Sequence, residues 1–190
     1  GKGAAFAFTS NEAIAKLYPS GTPTQSWVTP AIRALELARS QQEGWLYIDP
    51  AGPTCALAVS MEVDFALRNP NNQELKTALA AFAAQQASQE QVLTVFVEDG
   101  PLLISVDEST APGEPRRRLT TLPDGSAGLL GFTTAPEVLT AFPGDSVGRF
   151  TCRQLIAMIR ERNYGGIVIN PAGPFVVLTA AEINAAAART

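Results

Sequence analysis

The side chains able to do acid–base or nucleophilic chemistry in this chain are carboxylates and two cysteines, because it contains no histidine. That absence removes Ser-His-Asp and Cys-His nucleophilic machinery, histidine-bearing zinc peptidase and deaminase sites, and imidazole proton shuttles. Cys55 and Cys152 do not form a CxxC pair, and no Gly-rich phosphate loop follows a strand pattern. Carboxylate chemistry would need two of Asp49, Glu62, Asp64, Glu98, Asp99 and Asp107 to converge as acid and base. A charged residue beside a turn is more often a solvated cap. Glu98-Asp99-Gly100 reads as a hairpin turn, with too few oxygen ligands for calcium. The expectation is a protein that is not an enzyme and carries no cofactor and no metal.

Composition narrows the partners. Fourteen Lys and Arg against 18 Asp and Glu give a formal charge of -4, which repels a polyanion unless basic groups gather on one face. The one dense basic run, Arg116-Arg117-Arg118, is too small to neutralise several phosphates at once, so no nucleic acid is expected. Two cysteines are too few for a disulfide framework and read as thiols. No run of 18 apolar residues occurs, so membrane insertion is not expected, and the opening residues lack the apolar core and cleavage box of a signal peptide. The expected location is cytoplasmic.

The elements that must carry these groups form an α+β pattern. Residues 4–9 read as a short strand, Ser10 caps a helix holding Ile14 and Leu17, and Thr29-Pro30 opens a longer one with Thr29 as N-cap. Strands follow at 45–48 and 54–59, with Asp49-Pro50-Ala51-Gly52-Pro53 as the turn between them and a short helix through Val63 after them. Leu75, Leu79 and Phe82 mark a helix over 73–87, while Val-Leu-Thr-Val-Phe-Val at 92–97 and Leu102–Val106 read as two strands. Residues 107–115, rich in Pro, Gly and Ser, form the loosest segment. Strand patterns at 117–121 and 127–132, a short helix through Val138 and Phe142, and an amphipathic helix over 151–160 complete the middle. Strands at 166–169 and 175–178 then flank Asn170-Pro171-Ala172-Gly173-Pro174 before a terminal helix capped by Thr179.

Those two turns nearly repeat, 121 residues apart from position 49 to position 170, and Phe8-Thr9 matches Phe132-Thr133 at an offset of 124. The fold expected is a mixed or antiparallel sheet covered by amphipathic helices, containing an internally duplicated helix-strand-turn-strand unit. Residues 1–67 would form a shortened unit and 68–190 a full one, packed as one body. Segment 92–122, read as a hairpin or meander, has no partner in the first unit. The repeated turn is foremost structural: Asx and Pro set the corner and Gly tolerates positive φ. If the turns also serve a ligand or partner, Asp49, Pro50, Asn170 and Pro171 are the candidate residues. Trp27, in the loop before a helix, either staples that helix or projects as an interface anchor.

The second unit resembles the SseB amino-terminal domain family. The resemblance is carried by Val92–Val97, by Leu130-Gly131-Phe132-Thr133-Thr134, and above all by Tyr164-Gly165-Gly166-Ile167-Val168-Ile169-Asn170-Pro171-Ala172-Gly173-Pro174. Residues 4–67 look like a shortened copy through Phe6-Ala7-Phe8-Thr9-Ser10 and Ile48-Asp49-Pro50, with Asp49 where the family pattern favours Asn. The resemblance implies a bacterial protein and brings no catalytic residue with it. The function expected is a non-catalytic interaction or scaffold module, with a protein partner or self-association. The alternative is a small-molecule binder or carboxylate-based enzyme using the paired Asx-Pro turns.

Overall fold

The computed structural model describes residues 4–109 and 116–189, so residues 110–115 of the loose segment lie outside the described part. The chain divides into two units, Gly1–Arg68 and Asn69–Thr190.

The first unit runs β1 (Ala5–Ala7), α1 (Asn11–Leu17), α2 (Ala31–Ser40), β2 (Leu46–Ile48), β3 (Ala56–Ala58) and α3 (Ser60–Arg68). Because two helices intervene, β2 returns parallel to β1, whereas the short turn makes β3 antiparallel to β2; the sheet order is β1-β2-β3. Ser10 caps α1 by accepting from the Ala13 amide. Thr29 does not cap α2: Pro30, extended at φ -57° and ψ 147°, stands before the first helical residue Ala31, and no side chain closes that end. A small core of Ala5, Ala38, Leu46 and Val63 lies under one sheet face.

The second unit runs α4 (Gln73–Ala83), α5 (Gln89–Val97), β4 (Pro101–Asp107), β5 (Arg116–Arg117), β6 (Leu119–Thr121), β7 (Ala127–Gly131), α6 (Ala135–Ala141), β8 (Ser146–Thr151), α7 (Cys152–Glu161), β9 (Gly166–Ile169), β10 (Val176–Thr179) and α8 (Ala180–Ala187). One sheet has the order β10-β9-β7-β6, with β7 and β9 parallel; the other, β5-β4-β8, is antiparallel. A single antiparallel bridge, Leu103 to Phe132, joins β4 to the end of β7. The main core gathers Leu75, Phe96, Ile104, Leu129, Leu155 and Ile167. On the opposite face of β7 a second cluster holds Leu103, Leu130, Phe132, Ala135 and Val138.

Two sequence expectations are corrected. Residues 92–97 are the body of helix α5, not a strand: Ser88 and Gln91 form a reciprocal capping box, and Val92, Leu93 and Phe96 make one buried helical face. β-branched composition suggested extension, but the local cap and the 1–2–5 spacing of buried residues decide for helix. The partner of β4 is therefore β8, a strand not read from the sequence, and Asp99, in the left-handed region at φ 69°, turns helix into strand, so no hairpin forms there.

Candidate functional site

Both Asx-Pro corners rest on a residue in the left-handed region, Asp49 at φ 49° and Asn170 at φ 55°, which Asx tolerates better than other side chains. In each the Asx carbonyl accepts from the glycine three residues on, Gly52 at 2.8 Å and Gly173 at 3.0 Å. In each the Asx amide bonds to the last residue of the parallel neighbour strand, Ala7 at 3.0 Å and Gly131 at 2.9 Å. The side chains continue the same task. Asp49 Oδ1 accepts from the Thr9 amide at 2.9 Å and Oδ2 from the Thr9 hydroxyl at 2.6 Å. Asn170 Oδ1 accepts from the Thr133 amide at 2.9 Å, and its Nδ2 donates to Thr133 Oγ1 at 2.9 Å and to Glu137 Oε1 at 3.3 Å. The Asx residue thus fastens the point where the parallel neighbour leaves the sheet.

The corners differ in burial and charge. Asn170 is 3% exposed, beside the fully buried Thr133, and Glu137 also accepts from the Thr134 amide at 2.9 Å and lies 3.7 Å from Lys76 Nζ. Asp49 is half-buried, and the Thr9 hydroxyl and amide hold its carboxyl below the usual range. Pro50 and Pro171 continue the two corners, half-buried and exposed respectively. The structure brings Thr9 to Asp49, and Thr133 and Glu137 to Asn170, each set within its own unit.

Four of the other candidate carboxylates, Glu62, Asp64, Asp99 and Asp107, are engaged as caps or ion pairs. Glu62 accepts from the Val59 amide at 2.9 Å, Asp64 pairs with Arg39 at 3.2 Å, and Asp99 accepts from the Arg153 amide at 2.8 Å. Among the described residues, no three His, Cys, Asp or Glu gather as metal ligands. Cys55 is exposed; Cys152 is fully buried, and burial, with Asp99 adding to it, pushes its thiol up to about 12, so it stays protonated at neutral pH.

One polar cluster was not foreseen. Arg118 grips Asp145 through two hydrogen bonds, Nε at 2.8 Å and Nη2 at 2.7 Å, while Ser105 donates to the same carboxylate and Asp107 lies 3.2 Å from Arg118. The guanidinium also sits 5.5 Å from the Phe142 ring centre. Asp145 keeps only 6% of its side chain exposed, and the Arg118 hydrogen bonds lower its carboxyl to about 2. Its members come from β4, the residue before β6 and the turn after α6, a convergence no local sequence pattern announces.

The first unit exposes apolar surface. Trp27 is 77% exposed and Val28 is bare, so the staple on the following helix does not form. Register places Phe6 opposite Tyr47 and Tyr47 opposite Leu57, a single row on the sheet face away from the core. Phe6 is 49% and Leu57 43% exposed. Sequence reasoning overlooked this row, although its signal was present: Ala5-Phe6-Ala7-Phe8 alternates small and large, and the large side faces away from the Ala5, Ala38, Leu46 and Val63 core.

Such a molecule is an α+β protein whose two units each fix a parallel strand pair with an Asx corner. Residues 75–185 match the SseB protein N-terminal domain, and since that is more than half of the chain, the protein belongs to this family. No curated protein and no solved structure matches the chain.

Exchanging the two Asx side chains should have unequal effects. Asn170→Asp removes the Nδ2 donor and sets a buried carboxylate beside Glu137, and should cost about 2–4 kcal/mol in urea denaturation, whereas Asp49→Asn should change stability by under about 1 kcal/mol. Asp145 also gives a pH signature. Its folded-state value is depressed, so its contribution is complete above the unfolded value near 4 and disappears as pH falls towards 2. The stability gap between wild type and Asp145→Asn, measured by denaturant titration, should be widest at pH 6 and shrink steadily between pH ~4 and ~2.

Proposed function

We propose that this chain is a non-catalytic protein-interaction module of a bacterial cytoplasm, meeting its partner through the apolar surface of the first unit. The observation that carries the reading is that Phe6, Leu57, Met61, Trp27 and Val28 stand exposed in one small unit. Scattered exposed apolar residues are normal on any protein, whereas contiguous apolar surface marks interaction sites, and Phe6, Tyr47 and Leu57 lie side by side across three strands. Free thiols at Cys55 and Cys152 suit a reducing compartment. No helix among the described residues is long and apolar enough to cross a membrane. Engagement of Asp49, Glu62, Asp64, Asp99 and Asp107 in caps and ion pairs supports a binding role over acid–base work.

Part of the proposal is that the two units are copies of one. It is supported by the shared strand order, parallel for the first pair and antiparallel for the second, and by the matching hydrogen bonds at the two corners. Two ring pairs add to it: Phe8 with Tyr18 and Phe132 with Phe142, both at 6.3 Å.

Affinity capture from the native cell, with light scattering on the eluted complex, tests the function. Wild-type chain should retain a protein in a defined stoichiometry, and Leu57→Ser, at an exposed position, should reduce that retention at least about ten-fold without loss of fold. If no protein is retained while a metabolite strongly raises the melting temperature, the interaction reading is wrong.

A further inference from the structure

A cleft of about 260 Å³ opens between α7 and the β5-β4-β8 sheet of the second unit. Gln154, Met158 and Glu161 recur at i, i+4 and i+7 on one side of the helix, and Arg162 follows at its end. Facing them are Arg117 of β5 and Phe150 of β8, which register puts on one face of the sheet: they pair with Val106 and Leu102, four residues apart in β4. The floor is apolar, since Phe150 and Met158 are half-buried against the main core. Gly148 makes room for that ring: a Cβ there would meet Phe150 Cε2 at 3.2 Å and Val106 Cγ2 at 2.8 Å.

The rim of this cleft is charged and unmatched. Arg117 holds its guanidinium 5.8 Å from the centre of the Phe150 ring, a contact that orients the cation and consumes none of its N–H donors. Among the described residues neither Arg117 nor Arg162 meets a carboxylate, whereas Lys76, Arg118, Arg153 and Arg189 of the same unit all do. Glu161 likewise meets no cation among the described residues. Gln154 Oε1 is taken by the Thr151 amide at 2.8 Å, so its NH2 group is the part left to donate. Two positive charges thus stand against one negative around an apolar floor.

We propose that this cleft binds a small monocarboxylate with a compact apolar body, the carboxylate held between Arg117 and Arg162 and the body laid on Phe150 and Met158. A forked guanidinium pairs with a carboxylate through two parallel hydrogen bonds. The net charge of the rim answers one negative charge, and Glu161 repels a second. The volume lies just under the ~300–1,000 Å³ of pockets for drug-sized ligands, which suits a short aryl or alkyl acid. A free organic acid and a protein chain ending on an apolar residue offer the same chemistry. The site belongs wholly to the second unit and does not rest on the interaction reading above.

The probe is phenylacetate, titrated at about neutral pH into the intact, nitrogen-15-labelled chain and followed by backbone amide shifts. Expected are shifts centred on Phe150, Gln154 and Met158, a dissociation constant below about 5 mM, and at least about ten-fold weaker binding of phenylacetamide, which keeps the body, and of acetate, which keeps the charge. Arg162→Gln, at an exposed position, should weaken phenylacetate at least about five-fold without moving the urea midpoint. Phenyl phosphate, close to a dianion at this pH, should bind more weakly than phenylacetate, and Glu161→Gln should narrow the difference. The tetrapeptide Gly-Gly-Gly-Phe binding at least about ten-fold more tightly than N-acetylphenylalanine assigns the site to chain ends, and equal binding assigns it to free acids; both uphold it. Absence of shifts, shifts that map elsewhere, equal binding of phenylacetamide, an unaffected Arg162→Gln, or preference for phenyl phosphate overturns the carboxylate cleft. None of those results touches the interaction reading, which the capture experiment decides.

Discussion

A side-chain oxygen accepting a backbone amide from the neighbouring strand is the interaction on which each unit depends. A parallel strand pair has no tight turn to fix its register, since its connection runs through helices, and its ends are free to fray. Asp49 and Asn170 close that end by binding Thr9 and Thr133, the residues at which the first strand departs for its helix. The left-handed backbone is what aims the oxygen there, and the glycine three residues on completes the corner. One residue thereby sets strand register, helix entry and the start of the antiparallel return.

The same corner in two environments has different consequences. In the second unit a covering strand and a glutamate make it a buried network, where a charge in place of the Asn170 amide would face Glu137. In the first unit the corner stays near water and a carboxylate serves. The Asp-for-Asn difference thus matches burial: the amide stands at the buried corner and the carboxylate at the half-buried one.

Much of this was legible in residue order. Turn chemistry located both corners, Ser10 located α1, and 3.6-residue spacing located α4 and α7. Strand α-versus-β choice failed at 92–97, where a run of Val, Leu and Phe satisfies either period and only the Ser88–Gln91 cap separates them. β8 escaped because Ser-Val-Gly-Arg-Phe-Thr gains its strand character from pairing with β4, a partner some 45 residues earlier in sequence order. The Arg118–Asp145 clamp and the Phe6–Tyr47–Leu57 row escaped for a related reason: each is made by register between distant segments.

Amide hydrogen exchange on the intact chain tests the two Asx corners most directly. The account predicts that the Thr9 and Thr133 amides are protected well beyond the exposed turn residues beside them, and that Asp49→Ala releases Thr9 while leaving Thr133 unchanged. Free-peptide exchange at Thr9 in the wild-type protein, or release of both threonines by the single substitution, would contradict it.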